Sequence, residues 1–111
     1  MDPVEWSQIY TLSDVEVSVK SKTIHVEAKS SGPEGAMVWV RAWLSSESGT
    51  LSEAAIEPVA AGSIVSIDVA IPDVIDSKDH HTVYIRIESS PLQTEHVVSV
   101  PMNNRELLDN R

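Results

Sequence analysis

The segment at residues 37–44 constrains the fold more than any other part of the chain. It reads Met-Val-Trp-Val-Arg-Ala-Trp-Leu, with aliphatic residues at every second position. Successive side chains of a β-strand point to opposite faces, so this pattern predicts a strand. Both faces are apolar, because the second one carries methionine and tryptophan around Arg41. Such a strand is either covered on both sides or presents aromatic surface to a partner.

Alternation of apolar and polar residues also dominates the rest of the chain. Turn clusters rich in Gly, Pro and Ser follow one another at intervals of about 8–12 residues, the spacing typical of an immunoglobulin-like β-sandwich. The pattern predicts an all-β, seven-stranded antiparallel sandwich without a long helix. The predicted strands lie at 15–20, 24–29, 36–45, 55–59, 65–71, 83–88 and 96–100.

The same pattern divides the chain into three parts. We expect an N-terminal extension at residues 1–13 and the β-sandwich at residues 14–101. A C-terminal tail at residues 102–111 is expected to be frayed or to form a short helix.

Four segments carry a likeness to known modules: the opening hairpin 15–28, the turn 29–34, the turn 60–63 and the penultimate strand 83–87. In spacing they resemble the fibronectin type III and CARDB group of immunoglobulin-like modules over residues 14–101. The resemblance implies binding, adhesion or spacing within a larger surface or filament assembly, and it implies no catalytic chemistry.

Composition excludes several classes of function. The chain has 111 residues and a formal net charge of −9, which disfavours binding to nucleic acid or to an anionic membrane surface. No apolar run approaches the roughly 20 residues of a membrane span. Cys is absent, which excludes disulfides and cysteine-ligated metals, and Phe is absent, so the core must be aliphatic.

The loop at residues 73–81 gathers the residues that most resemble metal ligands. The spacing of its aspartates is not that of an EF-hand, and adjacent histidines on an extended chain point apart. We therefore expect a solvated, mobile loop without metal, and no cofactor elsewhere. The side chains in question are Asp73, Asp76, Asp79, His80 and His81.

Motifs of catalysis are missing from the sequence. No Gly-x-Ser-x-Gly occurs, and with four glycines there is no phosphate-binding loop. His25 and His96 lie on predicted strands without a serine or carboxylate at a telling spacing. We expect that the protein is not an enzyme.

Two arrangements of the aromatic strand stay open. In one, Trp39 and Trp43 fill the core, as a tryptophan of the third strand does in immunoglobulin domains. In the other, the aliphatic side chains fill the core and the aromatic ones face outward, unless Trp6 and Tyr10 of the N-terminal segment cover them. We predict the outward arrangement, with a partner-binding patch on one sheet face that consists of Met37, Trp39, Arg41, Trp43, Tyr84 and Arg86.

The sequence thus predicts a non-catalytic protein–protein interaction module. It would self-associate, most simply as a two-fold dimer, or dock within a surface, filament or phage-like assembly. The alternative is a carbohydrate- or metal-binding accessory module of an extracellular enzyme, in which an exposed tryptophan stacks on sugar rings. An extracellular or cell-surface location is expected if the chain is a piece of a longer protein, and a cytoplasmic one otherwise.

Overall fold

Eight strands and one short helix make up the parts of the chain that the computed structural model describes, residues 10–89 and 96–111. The elements are β1 (Thr11–Lys20), β2 (Thr23–Ser31), β3 (Met37–Ser46), β4 (Gly49–Ala55), β5 (Val59–Ala60), β6 (Ile64–Ala70), β7 (His81–Ser89), β8 (His96–Met102) and α1 (Asn104–Asn110).

The strands form two antiparallel sheets. One has three strands in the order β1-β2-β6; the other has five, in the order β4-β3-β7-β8 with β5 also paired to β3. The predicted all-β sandwich of two antiparallel sheets is confirmed, and α1 supplies the short helix that was one of two expectations for the tail. The division at residues 13/14 and 101/102 stays a prediction.

The segment between β3 and β6 differs from the sequence prediction. We expected one edge strand at 55–59, but the described residues hold two strands there, so the sandwich has eight strands and not seven. A two-residue turn at Glu47 and Ser48 returns the chain directly from β3 into β4. Pro58 has no N–H to donate, and the pairing with β3 is interrupted before it resumes at Val59.

Aliphatic side chains fill the space between the sheets. Four of the five predicted core residues, Val26, Val65, Ile67 and Ile85, are at most 4% exposed. The fifth, Val98, is only partly buried because β8 is the last strand of its sheet. The aliphatic core predicted from the lack of Phe is therefore confirmed.

A bulge in β1 explains how both halves of that strand face inward. Leu12 is buried, and Val17 also packs against the core. Their positions differ by five, an odd number, so a regular strand would place the two side chains on opposite faces. The pairing register with β2 shifts between Ser13 and Glu16, where Asp14 has a φ of 51°. The extra residue reverses the alternation, as bulges do.

Side chains join the two sheets along both lateral sides of the sandwich. On one side the Leu12 N–H of β1 donates to Nδ1 of His96 in β8, at 2.9 Å. On the other side the Ser52 hydroxyl of β4 donates to the Ala70 carbonyl of β6, at 2.6 Å. Among the described residues all four strands are edge strands, so these bonds use backbone groups that no described strand of the same sheet occupies.

Hydrogen bonds from one side chain connect the loop at 73–81 to the first residue of α1. Both N–H groups of the Asn104 side chain donate to loop carbonyls, to Ser77 at 3.2 Å and to Asp79 at 2.6 Å. The Oδ1 atom of Asn104 therefore accepts from His81 Nδ1, at 2.8 Å, and His81 is buried. Ile75 packs in the core. The expected mobility of this loop and its expected lack of metal stay predictions.

Ile67→Ala should lower the free energy of unfolding by about 2–4 kcal/mol, because it removes buried methyl groups and leaves a cavity. Ile64→Ala, on the same strand but 68% exposed, is the matched control and should change it by less than about 0.5 kcal/mol. Chemical denaturation of both variants checks this. Equal losses for the two would mean that the faces of β6 are assigned wrongly.

Asn104→Asp should destabilise the fold by about 1–3 kcal/mol, because a carboxylate replaces two donors and faces two carbonyl oxygens. Asn103→Asp makes the same chemical change one residue earlier. Asn103 caps α1 by accepting from the N–H groups of Arg105 and Glu106, which aspartate does equally well. Thermal unfolding should therefore separate the neighbouring variants, and similar melting temperatures would contradict the role of Asn104.

Candidate functional site: an aromatic sheet face

The position of β3 decides which of its two apolar faces is buried. The strand lies in the middle of the five-stranded sheet, between β4 and β7. Its aliphatic side chains are at most 1% exposed, whereas Met37 is 45% and Trp39 is 37% exposed. The outward arrangement is therefore confirmed, and the alternative with tryptophan in the core is wrong.

We call the outward side chains Met37, Trp39, Arg41, Trp43, Tyr84 and Arg86 the aromatic face. The pairing register sets them in rows across the strands: Trp43 of β3 lies opposite Tyr84 of β7, and Arg41 lies opposite Arg86. Strand β8 continues the rows with Ser99 beside Tyr84 and Val97 beside Arg86. The structure thus brings the six predicted residues onto one surface.

The rings and one guanidinium group form a stack on this face. The ring centroids of Trp43 and Tyr84 are 5.5 Å apart, with 21° between their planes. The guanidinium carbon of Arg86 lies over the Trp43 ring, 5.8 Å from its centroid. Offset stacking and a cation over an aromatic ring are both attractive geometries. They fix the orientation of these half-buried side chains.

The two arginines of the central row have different partners. Arg86 forms an ion pair with Glu88, at 2.7 Å, and its Nε, which solvent does not reach, has no hydrogen-bond partner among the described residues. Arg41 is exposed and forms no ion pair within residues 10–89 and 96–111. Of the two guanidinium groups, only that of Arg86 therefore has a carboxylate within ion-pair distance among the described residues.

A shallow groove lies along the centre of the aromatic face. Besides Arg41, Trp43 and Arg86 it is lined by Thr50 and Glu53 of β4. These two residues were missed from the sequence because β4 was predicted in the wrong place. The observation that places them on this face is the pairing of β4 with β3, in which Glu53 lies opposite Trp43.

The described part of the N-terminal segment lies elsewhere. Tyr10 is buried at the end of β2, where a Cβ on Gly32 would stand 2.9 Å from its ring. The idea that Tyr10 covers the aromatic face is therefore wrong. Trp6, the other residue of that idea, lies outside the described residues.

Within the described ranges, no three His, Asp or Glu side chains converge in a way that suits a metal ion. The same part of the chain contains no helix with the length and apolar character needed to span a bilayer.

Comparison with known proteins adds no family to this geometry. No family model matches the chain, and no curated protein matches it in sequence.

The outer face of the three-stranded sheet is charged and contrasts with the aromatic face. His25 of β2 lies opposite Asp68 of β6, and its Nδ1 is 2.6 Å from an Asp68 carboxylate oxygen. The hydrogen bond to Asp68 raises the pKa of His25 above its ordinary value of 6.5, with help from the charges of Asp68 and Glu27 and against a smaller opposing effect of burial.

His25→Gln should reveal a pH-dependent contribution to stability. Because the pKa is raised in the folded state, protonated His25 stabilises the fold fully below pH 6.5, and this contribution is lost as the pH rises through the folded pKa. His25 is partly exposed, so solvent screening keeps the effect below about 1 kcal/mol. Urea unfolding of wild type and variant should differ more in mild acid than in mild alkali; a difference that grows with pH would contradict this assignment.

Proposed function

We propose that this domain is a non-catalytic protein–protein interaction module that acts through the aromatic face. It self-associates or docks within a surface, filament or phage-like assembly. The observation that supports this most is the outward placement of Trp39 and of the Trp43–Tyr84–Arg86 stack while aliphatic residues fill the core. Trp, Tyr, Met and Arg are the residue types enriched in interfaces, and Trp, Tyr and Arg dominate their binding energy.

We further infer that the sandwich is of the immunoglobulin-like, fibronectin type III or CARDB kind. In immunoglobulin constant domains the first, second and fifth strands share one sheet and the third, sixth and seventh share the other. The same division holds here when the two-residue β5 is not counted. One sheet then contains the first, second and fifth strands, β1, β2 and β6, and the other contains the third, sixth and seventh, β3, β7 and β8. The fourth strand, β4, pairs with β3 instead of joining the first sheet. Modules of this architecture serve as binding units in many unrelated proteins, so the fold supports the proposal only by analogy.

The stacking geometry favours protein over carbohydrate as the occupant at Trp43. Sugar recognition by tryptophan needs an open ring face, and the Trp43 ring is already in contact with Tyr84 and Arg86, so Trp39 is the exposed ring of this face on which a sugar could stack. Titration with mono- and oligosaccharides should leave the tryptophan fluorescence unchanged. A saturable change would support the accessory-module alternative.

Trp39→Ala should weaken association by more than about 1 kcal/mol while the fold stays intact, because a large exposed ring in a central strand is a typical anchor. Ile64→Ala removes an exposed aliphatic side chain from the other sheet and should leave association unchanged. Sedimentation equilibrium of wild type and both variants measures this, and circular dichroism checks the fold.

Two results would contradict parts of the proposal. If Trp39→Ala unfolds the domain, the ring contributes to the core and the interface loses its main support. If the wild-type chain stays monomeric at every concentration, self-association is wrong and docking onto a different protein is the form of the proposal that stands.

A further inference from the structure

Two guanidinium groups occupy the centre of the aromatic face. Arg41 and Arg86 are directly opposite each other on neighbouring strands. Like charges in that position destabilise a sheet, and only Arg86 has a carboxylate partner within ion-pair distance in the described structure. An occupant that brings negative charge to this row would remove the repulsion.

The charge of the whole chain makes this row exceptional. The chain has 17 acidic residues and 8 Lys or Arg residues, and two of those eight meet here. A second copy of the chain placed on a two-fold axis through the row would bring four guanidinium groups together. It would also bring together two chains that each have a net charge of −9. Charge complementarity therefore favours a different protein as the occupant of the row.

Apolar side chains flank the arginine row along the strand direction. On β3, Trp39 lies two residues before Arg41, and Trp43 with its stacked Tyr84 lies two residues after it. Alternate residues of an extended strand share a face and are roughly 6.5–7 Å apart. A second extended segment laid along β3 therefore matches these rows when its alternate residues are apolar, acidic and apolar.

We propose, on the basis of the function proposed above, that the aromatic face binds an extended segment of another protein with this alternation. Its carboxylate lies between Arg41 and Arg86, and its apolar side chains contact Trp39 and Trp43. Hydrogen bonds between guanidinium and carboxylate groups are charge-assisted and directional. Glu53 at the side of the groove and the acidic remainder of the domain repel a run of acidic residues, so the segment carries a single carboxylate.

Nuclear magnetic resonance titration of the isotope-labelled full chain tests this proposal. The probe is the peptide acetyl-Leu-Thr-Glu-Thr-Leu-amide, and its control has Gln in place of Glu. We expect saturable shifts of the indole N–H signals of Trp39 and Trp43 and of the Nε–H signal of Arg86. The Glu peptide should bind about tenfold more tightly than the Gln peptide, as the loss of a charge-assisted bond predicts.

Matched variants assign this preference to the arginine row. Arg41→Gln should abolish the difference between the two peptides. Arg105→Gln makes the same substitution at an exposed arginine of α1 and should preserve the difference. The amide spectrum of each variant shows whether the β-sandwich is intact.

Each contrary outcome has a definite meaning. If both peptides bind the aromatic face equally well, the carboxylate preference is wrong and the proposed docking function stands. If the Glu peptide shifts no signal of this face, the inference is overturned, and the Trp39→Ala sedimentation experiment tests self-association through the same face separately. A dimer that buries this face and keeps the same dissociation constant in Arg41→Gln would assign it to a second copy and would also overturn the inference.

Discussion

The structure depends on how the gap between its two sheets is filled. Packed sheets lie about 10 Å apart, and this chain, which has no Phe, fills the gap with branched aliphatic side chains. Strand β3 contributes Val38, Val40 and Leu44 to that layer, which commits Trp39 and Trp43 to the opposite side. The outward position of the aromatic residues is therefore a consequence of core packing. The fold accounts for the surface that they form without any further interaction.

Much of the sandwich could be predicted because alternation with a period of two is a local property of the sequence. It located the opening hairpin, the inward faces and the central strand. Features set by distant contacts could not be predicted in this way. Strand β4 exists because a tight turn pairs it with β3. The loop before β7 accepts hydrogen bonds from Asn104, which lies beyond both β7 and β8. The bulge at Asp14 is a further example, because the sequence shows the alternation of β1 only after Asp14, and the bulge reverses the inward face at that point.

The candidate site was predictable to a similar extent. Its six residues follow from strand parity and from the expected neighbourhood of β3, β7 and β8. Their mutual arrangement depends on register, since a shift by one residue would move every side chain of a strand to the other face. The contact of the Arg86 guanidinium with the Trp43 ring and the direct juxtaposition of Arg41 and Arg86 therefore required the structure. So did the part of the surface that β4 contributes through Glu53.

The bonds from Leu12 to His96 and from Ser52 to Ala70 have a consequence for how this domain meets other chains. Unpaired strand edges recruit foreign strands, which is the first step of uncontrolled polymerisation. Here a backbone group on each flank already binds a side chain from the opposite sheet, and these two hydrogen bonds join the sheets. Recruitment of further strands is thereby discouraged at those points, which leaves the broad surface of the sheet for the recognition that we propose.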